Sequence, residues 1–186
     1  PVFRRMAAER AASFLAGCGI ACPDPAALAR AVWDAMEDAM RIARASDRRE
    51  PDYRALARDT AAAAGVAMNV EQAGELLDAI YVSGPEGGKL AYPDARSTLL
   101  ELRSRGVRRG IATNPAFGGE RFRQDLRELG LDIGWDSVSV SVEVGFLKPH
   151  AALFEHALAA LGIAPSDALM VGNSLLEDVA GAHALG

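Results

Sequence analysis

The chain changes texture once, near residue 85, and that change restricts what it can fold into. Before it, Ala is abundant, Val and Ile are scattered, and apolar residues recur at helical spacing. Leu28, Val32, Met36 and Met40 advance by four each time, with Trp33 alongside, and Ala73, Leu76, Leu77, Ile80 and Tyr81 follow the same rule. Such spacing lines up one apolar face of a helix. Pro25 and Pro51, with Asp24 and Glu50 just upstream, suit first-turn positions. Four helices are expected, near 2–17, 25–46, 51–64 and 71–81. A connector rich in Gly and Pro follows, Ser83 to Pro93. Beyond it, helices near 94–105, 118–129, 150–161 and from about 175 alternate with strands at Val107–Thr113, Ser137–Ser141 and Ala168–Gly172. That alternation means βαβ units and a parallel sheet. A helical domain over 1–88 and an α/β domain over 89–186 are the expected organisation.

Composition narrows the function classes. Half of the 186 residues are hydrophobic, which excludes a disordered tail and leaves material for a buried core. The net charge of -5 argues against nonspecific nucleic-acid binding, which needs an excess of Lys and Arg. Cys18 and Cys22 are too few for a disulfide framework and lack the further ligands of a zinc site, so reduced, partly buried thiols are expected. No stretch reaches the length of a membrane span. Arg4-Arg5 followed by Leu15-Ala16-Gly17-Cys18 imitates a lipoprotein signal, but Glu9 and Arg10 break its apolar region. A cytoplasmic protein is the expectation.

Of the 20 basic residues only Lys89 and Lys148 are Lys. A compact ammonium and a planar guanidinium do different chemistry, so both positions invite scrutiny. Open α/β sheets bind ligands beyond the carboxyl ends of their strands. The first strand ends there in Thr113-Asn114, a hydroxyl and an amide suited to phosphate oxygens, although both are also ordinary turn residues. The second leads through Gly145-Phe146-Leu147 to Lys148-Pro149 at a helix start. A Lys at the positive end of a helix needs an anionic partner. The third gives Val171-Gly172-Asn173-Ser174, then Asp178, a natural carboxylate for Mg²⁺. Glu177 reads as an acid that balances the helix dipole; Arg41, Arg44, Arg48 and Arg49 read as a solvated helix face, with contact to a charged substrate as the alternative. His150, His156 and His183 are too dispersed for a metal cluster, and the Ser83–Lys89 run misses the residues of a phosphate loop, leaving Lys89 in the connector.

Taken in order, Gly110-Ile111-Ala112-Thr113-Asn114, Phe146-Leu147-Lys148-Pro149 and Val171-Gly172-Asn173-Ser174-Leu175-Leu176-Glu177-Asp178 resemble the second, third and fourth motifs of the haloacid dehalogenase-like hydrolases, in their helical-cap, phosphoglycolate phosphatase-like branch. Tyr92-Pro93-Asp94 suits the place where such caps rejoin the core. The resemblance implies a three-layer, doubly wound (Rossmann-like) parallel sheet core with an inserted α-helical bundle cap. It implies a Mg²⁺-dependent phosphatase that acts on a small phosphorylated substrate through an aspartyl-phosphate, with neither nucleic acid nor membrane as partner. Thr113 and Lys148 become catalytic residues; Thr113, Asn114 and Lys148 hold phosphate; Asp178 and Asn173 hold the metal. Two departures stand out. Asn173 replaces an acidic ligand, and no Asp-x-Asp, the family's first motif, occurs anywhere in the sequence. That motif and the first strand are expected upstream of Pro1, and a further strand after Gly186. The alternatives are a metal-independent 2-haloacid dehalogenase-type hydrolase and a non-catalytic binding protein of the same fold.

Overall fold

The computed structural model describes residues 2–186. Pro1, where the helical domain was expected to begin, lies outside the described residues. The chain forms two compact units, one holding residues up to Ile42 together with Pro51–Lys89, the other Ala43–Glu50 together with Leu90–Gly186. The boundary expected at 88/89 falls at 89/90, and the short segment Ala43–Glu50 groups with the second unit instead of the first.

The first unit is all-helical, with α1 (Val2–Gly17), α2 (Pro25–Ala45, up to Ile42 in this unit), α3 (Tyr53–Ala63) and α4 (Val70–Ile80). Its apolar ladders go inside as their spacing demands. Leu28, Val32, Met36 and Met40 are buried, as are Ala73, Leu76, Leu77, Ile80 and Tyr81. α4 packs against α1 and α3. Helix starts are set by short polar side chains that take the orphan N–H groups of the first turn. Asp24 accepts from the Ala27 N–H at 2.8 Å, and Asn69 and Gln72 close a reciprocal capping box on α4. Pro51, expected inside the first turn of α3, precedes Asp52, whose carboxylate caps that helix at the Ala55 N–H. The connector is a folded turn: the Ser83 N–H donates to Glu86, the Glu86 N–H donates back to the Ser83 hydroxyl, and Arg10 pairs with Glu86 at 2.6 Å. Lys89 lies over the Phe3 ring. Both cysteines are free thiols, Cys22 half-buried and Cys18 exposed, so the partly buried setting expected for both holds for Cys22 alone.

The second unit contains α5 (Ala95–Ser104), β1 (Gly110–Thr113), α6 (Gly119–Glu128), β2 (Ser137–Val140), α7 (Ser141–Val144), α8 (Ala151–Leu161) and α9 (Gly181–His183). β1 and β2 pair in parallel, Gly110 opposite Ser137 through Thr113 opposite Val140, and α6 makes the crossover between them. α8 packs on both strands. The preference for Arg has a structural use here. Arg96, Arg103 and Arg108 donate to the carbonyls of Gly130, Ile133 and Leu161, and buried Arg109 reaches those of Leu99 and Gly134 and the Asp136 carboxylate. A forked, five-donor side chain serves several loop and helix-end acceptors at once.

The third expected strand, Ala168–Gly172, is not one: it has no ladder partner among the described residues, and Leu169 and Val171 are 89% and 82% exposed. A strand is defined by its neighbour. β1 spends one edge on β2, and no described strand lies along its other edge.

Candidate active site

Four chain segments meet beyond the carboxyl end of β1, all of them in the second unit. The first is Ala43–Glu50. Arg49 and Phe146 form an antiparallel bridge, the Glu50 N–H donates to the Gly145 carbonyl at 3.0 Å, and the Leu147 N–H donates to the Arg48 carbonyl at 2.7 Å. Arg48 takes the left-handed conformation, φ 62°, to make this turn. The Arg49 guanidinium lies over the Phe146 ring, which stacks on His150 at 4.0 Å. The loop that delivers Lys148 is thus gripped from one side. Behind it, His150 caps α8 through Nδ1, so Pro149 precedes the N-cap and does not hold the first helical position expected for it.

Lys148 is the centre of the cluster. Its ammonium donates to Asp178 Oδ1 at 2.6 Å, with side-chain exposures of 12% and 5% for the two partners. The anionic partner that a Lys at this helix start requires is therefore a carboxylate of the same unit. Its backbone N–H donates to the Asn114 side-chain oxygen at 2.9 Å. Asn114, expected to serve phosphate, here braces the lysine loop, with its amide nitrogen turned toward Glu177 at 3.5 Å. Thr113 stands one residue earlier at the half-buried end of β1, and its hydroxyl bonds to no other described residue.

Asp178 is carried by a π-helical turn, Leu175–Ala180, a geometry found disproportionately at functional sites. Ser174 caps this turn through the Glu177 N–H, and the Ser174 N–H donates to Asp178 Oδ2 at 2.9 Å. Burial pushes the Asp178 pKa up. The Lys148 hydrogen bond, the Ser174 N–H, the Lys148 charge and the Asn173 N–H outweigh it and hold the carboxyl below its usual range. Gly172 is required at close quarters, because a Cβ there would lie 2.2 Å from Asp178 Oδ2.

Glu177 does more than balance a helix dipole. Its carboxylate is 19% exposed and pairs with Arg44 at 3.0 Å. The solvated face expected for the four arginines describes Arg41, which pairs with Asp38 at the surface, but not Arg44. Of the residues expected at the site, Asn114, Lys148 and Asp178 are brought together, Thr113 adjoins them, and the Asn173 side chain is exposed. Ser174 had no expected role, and the pairing of Glu177 with Arg44 was not expected. The Ser-Leu-Leu-Glu run at 174–177 is a capping-box pattern that marks Ser174, whereas Arg44 has no local signal, since its partner lies far along the chain.

Magnesium is held through one or two carboxylates, with waters and substrate phosphate completing its shell. Asp178 offers one buried carboxylate, whose oxygens have lone pairs beyond those given to Lys148 and Ser174. Asn173 offers an exposed amide beside it. This donor set fits such an ion. No group of three or more His, Cys, Asp or Glu gathers into a metal cluster among the described residues.

A family model for haloacid dehalogenase-like hydrolases matches residues 5–186. The chain belongs to this family. Among its relatives, the chain is 41% identical over 93 residues to a glyceraldehyde 3-phosphate phosphatase of Methanothermobacter thermautotrophicus, a match covering 49% of this chain and 39% of that protein. It is 40% identical over 95 residues to a phosphoserine phosphatase of Thermus thermophilus, covering 51% and 37%. A phosphoglycolate phosphatase of Nitrosococcus oceani is 34% identical over 115 residues, covering 61% and 49%. The chain thus matches less than half the length of each of these relatives. Of solved structures, a HAD phosphatase from Thermococcus onnurineus superposes with a TM-score of 0.58 at 24% identity, over 100% of this chain and 76% of that one. The L-2-haloacid dehalogenase of Xanthobacter autotrophicus gives 0.55 at 18%, over 97% and 69%. These likenesses show the fold: an α/β, Rossmann-like haloacid dehalogenase fold with a helical cap.

Proposed function

We propose that this chain carries the phosphate- and metal-binding machinery of a magnesium-dependent phosphatase acting on a small phosphorylated metabolite, with the nucleophilic Asp on an adjoining strand outside this sequence. The observation that carries the reading is the Lys148–Asp178 pair, 2.6 Å apart and nearly buried, at the end of a strand finishing in Thr113-Asn114. A cation and a metal-competent carboxylate side by side answer the two electrostatic needs of phosphoryl transfer. The phosphatase names of the relatives support it.

In this reading the Thr113 hydroxyl and the Asn114 N–H hold phosphoryl oxygens. The Lys148 ammonium has three donors and gives one to Asp178, which leaves two for the phosphoryl group and the attacking carboxylate. Asp178, with Asn173, would hold the magnesium ion, which when bound would supply charge neutralisation between two anions that otherwise repel. The attacking Asp forms the aspartyl-phosphate as the alcohol leaves, and water then releases phosphate. A strand seated beside the open edge of β1 would bring that Asp to the cluster and cover Leu169 and Val171. A cytoplasmic setting completes the proposal; no helix among the described residues is long and apolar enough to cross a membrane.

The test is hydrolysis of a panel of small phosphomonoesters by the full-length protein, with Mg²⁺ and with chelator. Phosphate release that needs the metal and is lost in Lys148→Ala supports the reading. Halide release from 2-haloacids that persists in chelator would replace it with dehalogenation, and turnover of neither class would leave a binding protein.

A further inference from the structure

We propose that Arg44 is a second anion-binding cation of this site, held by Glu177 in this structure, and that it takes the second anionic group, carboxylate or phosphate, of a phosphorylated substrate. The inference rests on the phosphatase reading and deepens it.

Arg44 is fixed with respect to Lys148 by backbone. It lies on Ala43–Glu50, whose Arg48 carbonyl and Glu50 N–H bind Leu147 and Gly145, immediately before Lys148. Consecutive carboxylates on the π-helical turn each hold one cation, Asp178 the Lys148 ammonium and Glu177 the Arg44 guanidinium. Each cation rests on an internal carboxylate, and Asn114 links the two pairs, its oxygen accepting from the Lys148 N–H at 2.9 Å and its amide nitrogen turned toward Glu177 at 3.5 Å.

The two pairs differ in kind. Lys148–Asp178 is almost fully enclosed, whereas Arg44 is 47% exposed. Arg123 shows what a completed pair looks like in this chain, with two hydrogen bonds to Glu143 at 2.9 and 3.1 Å. Arg44 approaches Glu177 closest through Nε and makes no other ion pair among the described residues. Guanidinium binds carboxylate and phosphate best through two parallel N–H donors. Arg44 is thus positioned by Glu177 but not saturated by it, and nearly half of its side chain remains open to solvent. A substrate bearing only its phosphoryl group engages Lys148; one bearing a second anion also engages Arg44, in competition with Glu177.

Calorimetric titration of the chain with 2-phosphoglycolate and with methyl phosphate tests this. The parent is expected to bind 2-phosphoglycolate the tighter. Arg44→Ala should weaken 2-phosphoglycolate about tenfold or more, the worth of a charge-assisted hydrogen bond, and leave methyl phosphate unchanged. Glu177→Gln should move the opposite way and tighten 2-phosphoglycolate, because it removes the competitor. Arg44→Lys, which keeps the charge and loses the fork, should fall between. If Arg44 only braces the segment, Arg44→Ala and Glu177→Gln will shift both ligands together and in the same direction, which overturns the proposal. Lys148→Ala separates the two levels: it should weaken both ligands, and if it weakens neither, the phosphatase reading fails. A parent chain that binds neither ligand overturns both.

Discussion

Gly172 offers a sharp perturbation, since the consequences of one added carbon can be worked from the site. In Gly172→Ala the new Cβ would lie 2.2 Å from Asp178 Oδ2, 2.3 Å from its Cγ and 2.6 Å from its Cβ. Nonbonded carbon contacts settle near about 3.5–4.0 Å, so the carboxylate has to leave its place. Leaving it breaks the bonds from the Ser174 N–H at 2.9 Å and the Lys148 ammonium at 2.6 Å. An enclosed ammonium without its partner costs roughly 3–5 kcal/mol; the lower end applies because Lys148 keeps some contact with water, so a loss of about 3 kcal/mol is expected. Urea unfolding followed at Trp135, in a Trp33→Phe background so that only the second unit reports, measures it. The control is the same change in Asp178→Gly, which removes the Cβ as well as the carboxylate. With no carboxylate to displace, Gly172→Ala should then cost little, so the two losses should be strongly non-additive. Additive losses, or a single-variant loss under about 0.5 kcal/mol, would refute the reasoning.

Three further outcomes follow from neighbouring contacts. The Asp178 carboxyl is held below its usual range, so its contribution to stability is complete above about pH 4 and is lost as pH falls through the lower folded value. Acid unfolding of Asp178→Asn should accordingly show a shallower pH dependence than the parent. Ser174→Ala removes the acceptor of the Glu177 N–H and should cost about 1 kcal/mol in urea unfolding. Arg109→Met, immediately before β1, strips the donors from the Leu99 carbonyl of α5 and the Gly134 carbonyl of the loop before β2 and should cost about 2–3 kcal/mol, read as a lowered melting temperature.

What the sequence made legible was what depends on local periodicity. The four-residue ladder from Leu28 to Met40 needs only a helix to become a buried face, and it is buried. The first two strands survive in shortened form because each has the other as neighbour. Ala168–Gly172 carries equally strand-like residues, but its hydrogen bonds depend on a neighbour that no local pattern can supply, and it stays extended and exposed. The site divides along the same line. Lys148 was legible because a scarce Lys at a helix start demands an anion, and Asp178 because it follows Gly-Asn-Ser after a run of strand-like residues. That each is the other's partner was not, since nothing local reports a contact across the fold. That the Asn114 side chain braces the Lys148 N–H was not legible either, since this contact is set by the loop that Arg48 and Glu50 hold in place. The ion pair of Arg44 with Glu177 lay equally beyond local reading.

The scarcity of lysine allows the central claim, that Lys148 heads a phosphate-binding site, to be tested directly. With ¹⁵Nζ-labelled lysine the chain has only two side-chain signals, Lys89 and Lys148. The Lys148 signal is followed at low temperature, where ammonium exchange slows, and Lys148→Arg assigns it. Titration with inorganic phosphate in the presence of Mg²⁺ should shift the Lys148 signal in a saturable way while Lys89, over the Phe3 ring, stays where it is. A Lys148 signal that does not respond, or two signals that drift together, would contradict the account.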